Sequence, residues 1–197
     1  DFRTVSLSRE VSVQGRREVL LGKGKFGIFG DGKELPQVVM SHFFKDGDYR
    51  SGYYRDQTLL MSQNLLSARE IFAAVYGHPD KLYEKMSGGR QMAGHFLTNT
   101  IDENNNWIDQ TSQKNHISDI SPTASQMSRL VGLGLASKIY RNNSISGSEK
   151  FSKNGNEVVW GTIGNASTSQ GIFFEAVNAC GVLQIPTIIS VWDDEYG

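Results

Sequence analysis

Two short runs near the end of the chain hold the residues best suited to chemistry. Gly164-Asn165-Ala166-Ser167 follows an apolar stretch, Glu157 to Ile163, and leads into a helical pattern. Asp193-Asp194-Glu195-Tyr196 follows a second apolar stretch, Thr187 to Trp192. In a parallel α/β sheet, ligands collect at the carboxyl ends of the strands. The first run also opens a helix, where free amides and the dipole favour a phosphate. The second supplies carboxylates, which would repel a phosphate unless a cation lay between them. Mg²⁺ and Ca²⁺ are hard ions that take carboxylate, amide and carbonyl oxygens. Taken together, the two runs describe a diphosphate held through a divalent metal.

The elements that must position these residues follow from periodicity. Glu157 to Ile163 reads as a buried strand, and Gly164 to Ser169 as a turn of small residues. Phe173, Ala176, Val177 and Cys180 mark a helix, Pro186 its exit, and Thr187 to Trp192 the next strand. Strand, helix, strand in that order implies parallel pairing. Upstream, Leu65, Ala68, Phe72 and Val75 predict one helix from about Gln57 to Tyr76, stopped at Gly77-His78-Pro79. Asn99 to Asp119 is polar and reads as a long surface loop. A helix capped by Ser121 or Thr123 is expected to run through Met127, Leu130 and Leu135 to Tyr140. Its Gly132, Gly134 and Ala136 predict that another backbone packs very close. Asn142 to Asn156 is a second polar connection, and the first forty residues add little.

Bulk properties narrow the function classes. The chain has 197 residues, 38% hydrophobic and 21% charged, an ordinary globular mixture. A net charge of -1 gives no electrostatic case for nucleic acid or an anionic membrane. No apolar run is long enough to cross a bilayer. The lone Cys180 cannot form an internal disulfide, so a reducing, cytoplasmic setting is the expectation. The chain opens at Asp1 without a methionine and stops on an acidic loop, which reads as a fragment of something longer. The expected division is residues 1–48 as an N-terminal extension and lead-in, and 49–197 as the diphosphate-binding domain, truncated at its C-terminus.

Gly164-Asn-Ala-Ser-Thr-Ser-Gln-Gly171, with Phe174-Glu-Ala-Val-Asn178 behind it, resembles the cofactor motif of the 2-oxoacid dehydrogenase E1 α subunits. That motif opens Gly-Asp-Gly or Gly-Glu-Gly and closes with Asn-Asn-Gly-Tyr; here the close is Asp193-Asp194-Glu195-Tyr196, with Asp194 29 positions after Asn165. The resemblance implies metal ligands at Asn165, Asp194 and the Tyr196 carbonyl, with Ala166 and Ser167 beside the cofactor. The family places an acid first and an amide second, and this chain reverses the two. Either order presents one carboxylate and one amide oxygen, although Asp193 could stand in for Asp194. Tyr54-Arg55 resembles the family's diphosphate-holding pair, and an arginine fork suits phosphate oxygens. Gly89-Arg-Gln-Met92 with His95 resembles the branched-chain members more than the pyruvate enzymes. Ser121-Pro-Thr-Ala-Ser-Gln126 resembles the segment flanking the aminopyrimidine, which places Ser121 and Thr123 at the cofactor. In some members it also binds potassium, which would fall on Pro122, Ser125 and Gln126. Trp192 stands where many members carry a phosphate-contacting arginine.

What this resemblance implies is an α/β thiamine-diphosphate-binding fold, with a mainly parallel sheet flanked by helices. The cofactors implied are thiamine diphosphate and Mg²⁺, with K⁺ in some members. The implied reaction is decarboxylation of a 2-oxoacid by the thiazolium ylid and transfer of the acyl unit to a lipoyl group. The partners implied are an E1 β-type subunit or domain, which supplies the activating glutamate, and the lipoyl domain of an E2 transacylase. No catalytic acid or base is assigned to this chain.

Blander readings stand beside these. The acidic run could be a solvated loop, and the Gly164 turn any βα connection. His95 and His116 each read more simply as hydrogen-bonded histidines than as proton carriers. Two other functions remain open, a different thiamine-diphosphate enzyme such as a transketolase, and a non-catalytic phosphate- or metal-binding relative.

Overall fold

The two apolar stretches and the helical stripe between them form a parallel strand–helix–strand unit. It is seen in a computed structural model that describes residues 1–91, 94–193 and 195. The strands are β1 (Tyr49–Ser51), β2 (Asn115–Ile117), β3 (Val159–Gly164) and β4 (Thr187–Trp192). They make one sheet in the order β2-β1-β3-β4, with every pairing parallel. The longest pairing runs from Val159 opposite Thr187 to Gly164 opposite Trp192. With α1 (Phe2–Leu20), α2 (Glu34–Phe43), α3 (Gln57–Ser62), α4 (Ala68–Val75), α5 (Gln126–Asn142) and α6 (Gly171–Leu183), the architecture is α/β. Among the described residues, no helix is long and apolar enough to cross a membrane.

The chain divides into two compact units, one of residues 1–43 and 54–96, the other of residues 44–53 and 97–197. In the second unit, α5 covers one face of the sheet. Met127 and Leu130 pack there against Tyr49, Val159 and Ile163, and Ala176 of α6 joins the same core. Gly161 lies directly under α5, where a Cβ would meet Leu130 Cδ2 at 2.7 Å. The small residues of α5 behave differently from expectation. Gly134 faces the Ile185 and Thr187 side chains, not a backbone, and a Cβ at Gly132 would meet nothing.

The first unit is helical, and sequence patterning does not show its first helix. The side of α1 that is buried carries Ser8, Val11, Ser12, Gly15 and Glu18, a helical spacing of mostly small or polar residues. Hydrogen bonds there supplement the packing of Val11 on Met61 and Ile71. Ser8 Oγ lies 2.7 Å from Thr58 Oγ1, and Gln57 Nε2 donates to Ser12 Oγ at 2.8 Å. The single helix expected from Gln57 to Tyr76 is broken in two. Asn64 takes a left-handed φ of 59°, and Ser67 then caps α4 with a capping box closed by Glu70. Similarly, the expected loop between Asn99 and Asp119 contains β2, three residues too short to announce themselves by alternation.

Candidate functional site

The turn after β3 is fixed by short polar contacts. Asn165 N donates to the Trp192 carbonyl at 3.3 Å, which ties the carboxyl ends of β3 and β4 together. Residues Ala166–Ser169 then form a 3₁₀ turn, and α6 begins at Gly171. Thr168 N and Oγ1 both donate to the Asn165 carbonyl, at 3.0 and 2.6 Å. That carbonyl is therefore occupied, and it is the side-chain amide of Asn165 that remains for a ligand. The Ala166 and Ser167 amides open the turn, where no carbonyl within it can reach them. Gly164 leaves space above, since a Cβ would sit at ordinary contact, 3.5 Å from Tyr53 Oη and 3.9 Å from Ser167 Oγ.

On β4, Asp193 follows directly from Trp192, and its Oδ1 accepts the Glu195 N–H at 2.9 Å. One oxygen of that carboxylate is thus turned back onto its own loop. Asp194 and Tyr196, the other two expected metal ligands, lie outside the described residues, as does Met92 of the Gly-Arg-Gln-Met segment. Among the described residues, no group of three or more His, Cys, Asp or Glu could hold a metal.

Ser121, Pro122 and Thr123 are exposed in a turn ahead of α5. Ala124 is buried there with a left-handed φ of 64°, a strained conformation for alanine. Gln126 is already committed to the fold, with Nε2 on the Thr162 carbonyl at 2.9 Å and its own carbonyl accepting Ser51 Oγ at 2.8 Å. The helix is capped at Ser125 by position alone, without a side-chain bond, rather than at Ser121 or Thr123.

Tyr54 and Arg55 belong to the helical unit. The Arg55 guanidinium lies 5.3 Å from the centre of the Tyr54 ring, and that ring is tilted against His95 at 6.3 Å. Gly30 and Gln37, both absent from the sequence reading, hold the Arg55 backbone. A Cβ on Gly30 would come within 2.5 Å of the Arg55 carbonyl oxygen, and Gln37 Nε2 donates to that oxygen at 3.0 Å. Gln37 is fully buried, and its Oε1 accepts the Leu59 N–H at 3.0 Å. Nothing in a lone glutamine announces such a role.

Glu84 is a second residue missed from sequence, where it looks like one more solvated charge. It is fully buried, and its carboxylate accepts the backbone N–H groups of Met86, Ser87 and Gly89 at 2.7–2.9 Å. Burial pushes the carboxyl pKa up, but these donors outweigh it and hold the group below its ordinary value. The loop leading into Gly89-Arg90-Gln91 is wound around this one charge. Arg90 itself turns back to the Ser87 carbonyl at 3.0 Å.

The third missed group lies on the face of the sheet away from α5. Arg50 of β1 is fully buried, with Nε–H donating to His116 Nδ1 at 2.8 Å and Nη2 on Asp119 Oδ1 at 2.6 Å. His116 stacks on Phe44 at 5.1 Å. Because Nδ1 accepts, the ring is neutral, and burial, with Arg50 and Lys114 nearby, holds its pKa well below 6.5. The bland reading of His116 as a hydrogen-bonded core histidine agrees with this geometry. Since the unfolded chain would take up a proton first, the stabilisation from neutral His116 is present above about pH 6.5 and drains away as pH falls toward the folded value. Unfolding free energy measured from pH 7.5 to 5 is expected to fall more steeply for the wild type than for His116→Gln. Parallel slopes would contradict a neutral, depressed His116.

Comparison with known proteins gives the family. The Dehydrogenase E1 component family matches residues 13–197. Over 197 residues, 99% of this chain, it is 26% identical to the 2-oxoisovalerate dehydrogenase subunit alpha of Bacillus subtilis (strain 168). It spans about half the length of that curated relative, 50%. With the parallel strand ends, the Asn165 turn and this match over most of its length, the chain belongs to the dehydrogenase E1 component family.

Proposed function

We propose that this chain is the diphosphate-holding part of a 2-oxoacid dehydrogenase E1 component that uses thiamine diphosphate and Mg²⁺. The observation that carries the reading is the turn after β3. It is bonded to the end of β4, opens with two amides free within the turn, and runs into α6. The donor chemistry fits the group. Asn165, the acidic loop after β4 and the Tyr196 carbonyl offer hard oxygens to a divalent cation, and Ala166 and Ser167 offer N–H groups to phosphate oxygens. The resemblance assigns the guanidinium fork to Arg55, which lies against Tyr54 within the helical unit. Ser121 and Thr123 are exposed, and the turn holding Pro122, Ser125 and Gln126 is where K⁺ would sit, with Gln126 tied through its N–H to the Thr162 carbonyl.

When bound, thiamine diphosphate supplies the carbon nucleophile and electron sink for loss of carbon dioxide from a 2-oxoacid. The residues of this chain bind and orient it. No acid or base of the chemical step is assigned to them; the reading has an E1 β-type subunit or domain supply the activating glutamate and the acyl unit leave on the lipoyl domain of an E2 component. The reading extends to a cytoplasmic enzyme, with residues 49–197 as the cofactor domain behind a 1–48 lead-in. The Gly89-Arg90-Gln91 segment and the 2-oxoisovalerate relative favour a branched-chain substrate.

Steady-state assays of the full-length enzyme with its β partner test this directly. 3-Methyl-2-oxobutanoate is expected to exceed pyruvate in kcat/KM by about 10–200-fold, the range that one or two methylenes allow. Sugar phosphates are expected to give no turnover. Turnover of sugar phosphates without 2-oxoacid decarboxylation would overturn the assignment.

A further inference from the structure

The polar group behind the sheet has a geometry that stability alone does not explain. Arg50 and Asp119 form an ion pair with side chains 0% and 2% exposed. Desolvating two charges costs as much as the pair returns, and well-packed apolar residues commonly stabilise such a position equally well. What charges add is a single fixed geometry. Arg50 sits on the central strand β1 opposite His116 of β2, and grips both that ring and the carboxylate three residues further on. Arg129 of α5 holds the residue before Asp119, with Nη2 on the Ser118 carbonyl at 2.7 Å and Nε on Ser51 Oγ at 3.1 Å. Two arginines, on different elements, therefore clamp residues 116–119 just as the chain leaves β2.

The next residues are Ser121, Pro122 and Thr123, all exposed. Ser121 is two residues beyond Asp119, about 7 Å of chain at most. On the other side, the buried left-handed Ala124 and the Gln126 bond to Thr162 fix where the turn lands. The exposed hydroxyls are thus held between two anchors at the carboxyl edge of a parallel sheet, where ligands gather.

We propose that the Arg50–Asp119 ion pair, held from α5 by Arg129, is a positioning device that sets the Ser121–Thr123 turn for the ring end of the bound cofactor. The assignment rests on the cofactor reading above. Arg50 and Asp119 touch no ligand themselves, and act by fixing the backbone that carries Ser121 and Thr123.

The test uses the full-length protein carrying Arg50→Met together with Asp119→Leu, which removes both charges and strands neither. Thiamine diphosphate and inorganic diphosphate, each with Mg²⁺, are the two probes in calorimetry. The pair variant is expected to bind thiamine diphosphate at least tenfold more weakly than the wild type, and inorganic diphosphate unchanged. Equal loss of both probes would mean general damage, and loss of neither would mean a purely structural pair; each outcome overturns the positioning role while the cofactor reading stands. If the wild type itself fails to bind thiamine diphosphate more tightly than inorganic diphosphate, the cofactor reading falls and takes this role with it. Should the pair variant not fold, Arg129→Gln releases Ser118 without stranding a charge and is expected to show the same selective loss, about threefold.

Discussion

Asp119→Ala is expected to destabilise the protein by about 3–5 kcal/mol, the cost of leaving a buried charge without its partner. Arg50 is fully buried, and the bond from its Nε to a neutral imidazole nitrogen offsets none of its charge. Arg129 adds to the penalty, because burial already depresses its pKa and Asp119 is the neighbour that offsets this. Two cations would then share a desolvated region with the carboxylate removed. Urea unfolding followed by Trp160 fluorescence reads the loss, since Trp160 packs 5.9 Å from Phe44, which stacks on His116. The joint replacement of Arg50 and Asp119 by apolar residues is expected to cost far less. A single variant within about 1 kcal/mol of the wild type would contradict the buried ion pair.

Gly155→Ala is expected to cost about 2–5 kcal/mol, combining left-handed strain with overpacking. Gly155 has a φ of 63°, and a Cβ there would overlap the Ser137 carbonyl oxygen and approach Arg141 Cβ to 2.6 Å. Neither neighbour can retreat easily. Both belong to α5, and the Arg141 guanidinium and Ser137 hydroxyl already donate to the Gly155 carbonyl. This contact docks the polar connection before β3 onto the helix that covers the sheet. Gly155→Asn tolerates the left-handed backbone but keeps the Cβ, so it should fall between glycine and alanine in unfolding free energy. An alanine variant within 0.5 kcal/mol would mean that the connection is free to move away.

The parts of the fold legible in sequence are those built from continuous apolar patterning. Thr187–Trp192 has the expected bounds, the strand before it is displaced by two residues or fewer, and the helix between them carries its stripe. Elsewhere the sheet is built from pieces with no such signature. Tyr49-Arg50-Ser51 makes the central strand, yet an arginine in the middle of a three-residue run reads as surface. Its burial becomes intelligible only once Asp119 is alongside, 69 residues later. Likewise α1 buries serines and a glycine, because its partner surface offers hydroxyl and amide groups rather than methyls. The break after α3 did leave a signal, Ser67-Ala-Arg-Glu70 in the capping-box pattern, which the apolar stripe running through it conceals.

The candidate site divides in the same way. Residues proposed to touch a ligand carry a signal in the sequence, because their types and spacing resemble a motif: Asn165, Ala166, Ser167, Asp194, Tyr54 and Arg55. Buried polar residues that fix the surrounding backbone carry none. Gln37, Glu84, Arg50 and Asp119 act through partners distant in sequence or through backbone amides, and neither leaves a local pattern. Gln126 shows the converse. Its motif match points to a cation, for which its amide oxygen would serve, while the amide nitrogen holds a strand carbonyl, a contact that no motif announces.

In the proposed reading, a metal-bridged diphosphate is anchored where β3 and β4 end. Calorimetric titration of thiamine diphosphate into the full-length protein, with and without Mg²⁺, and for wild type against Asp194→Asn, decides whether it is. Binding is expected to require Mg²⁺ and to weaken at least tenfold when that carboxylate is lost. Tight binding that ignores both the cation and the substitution would contradict the account.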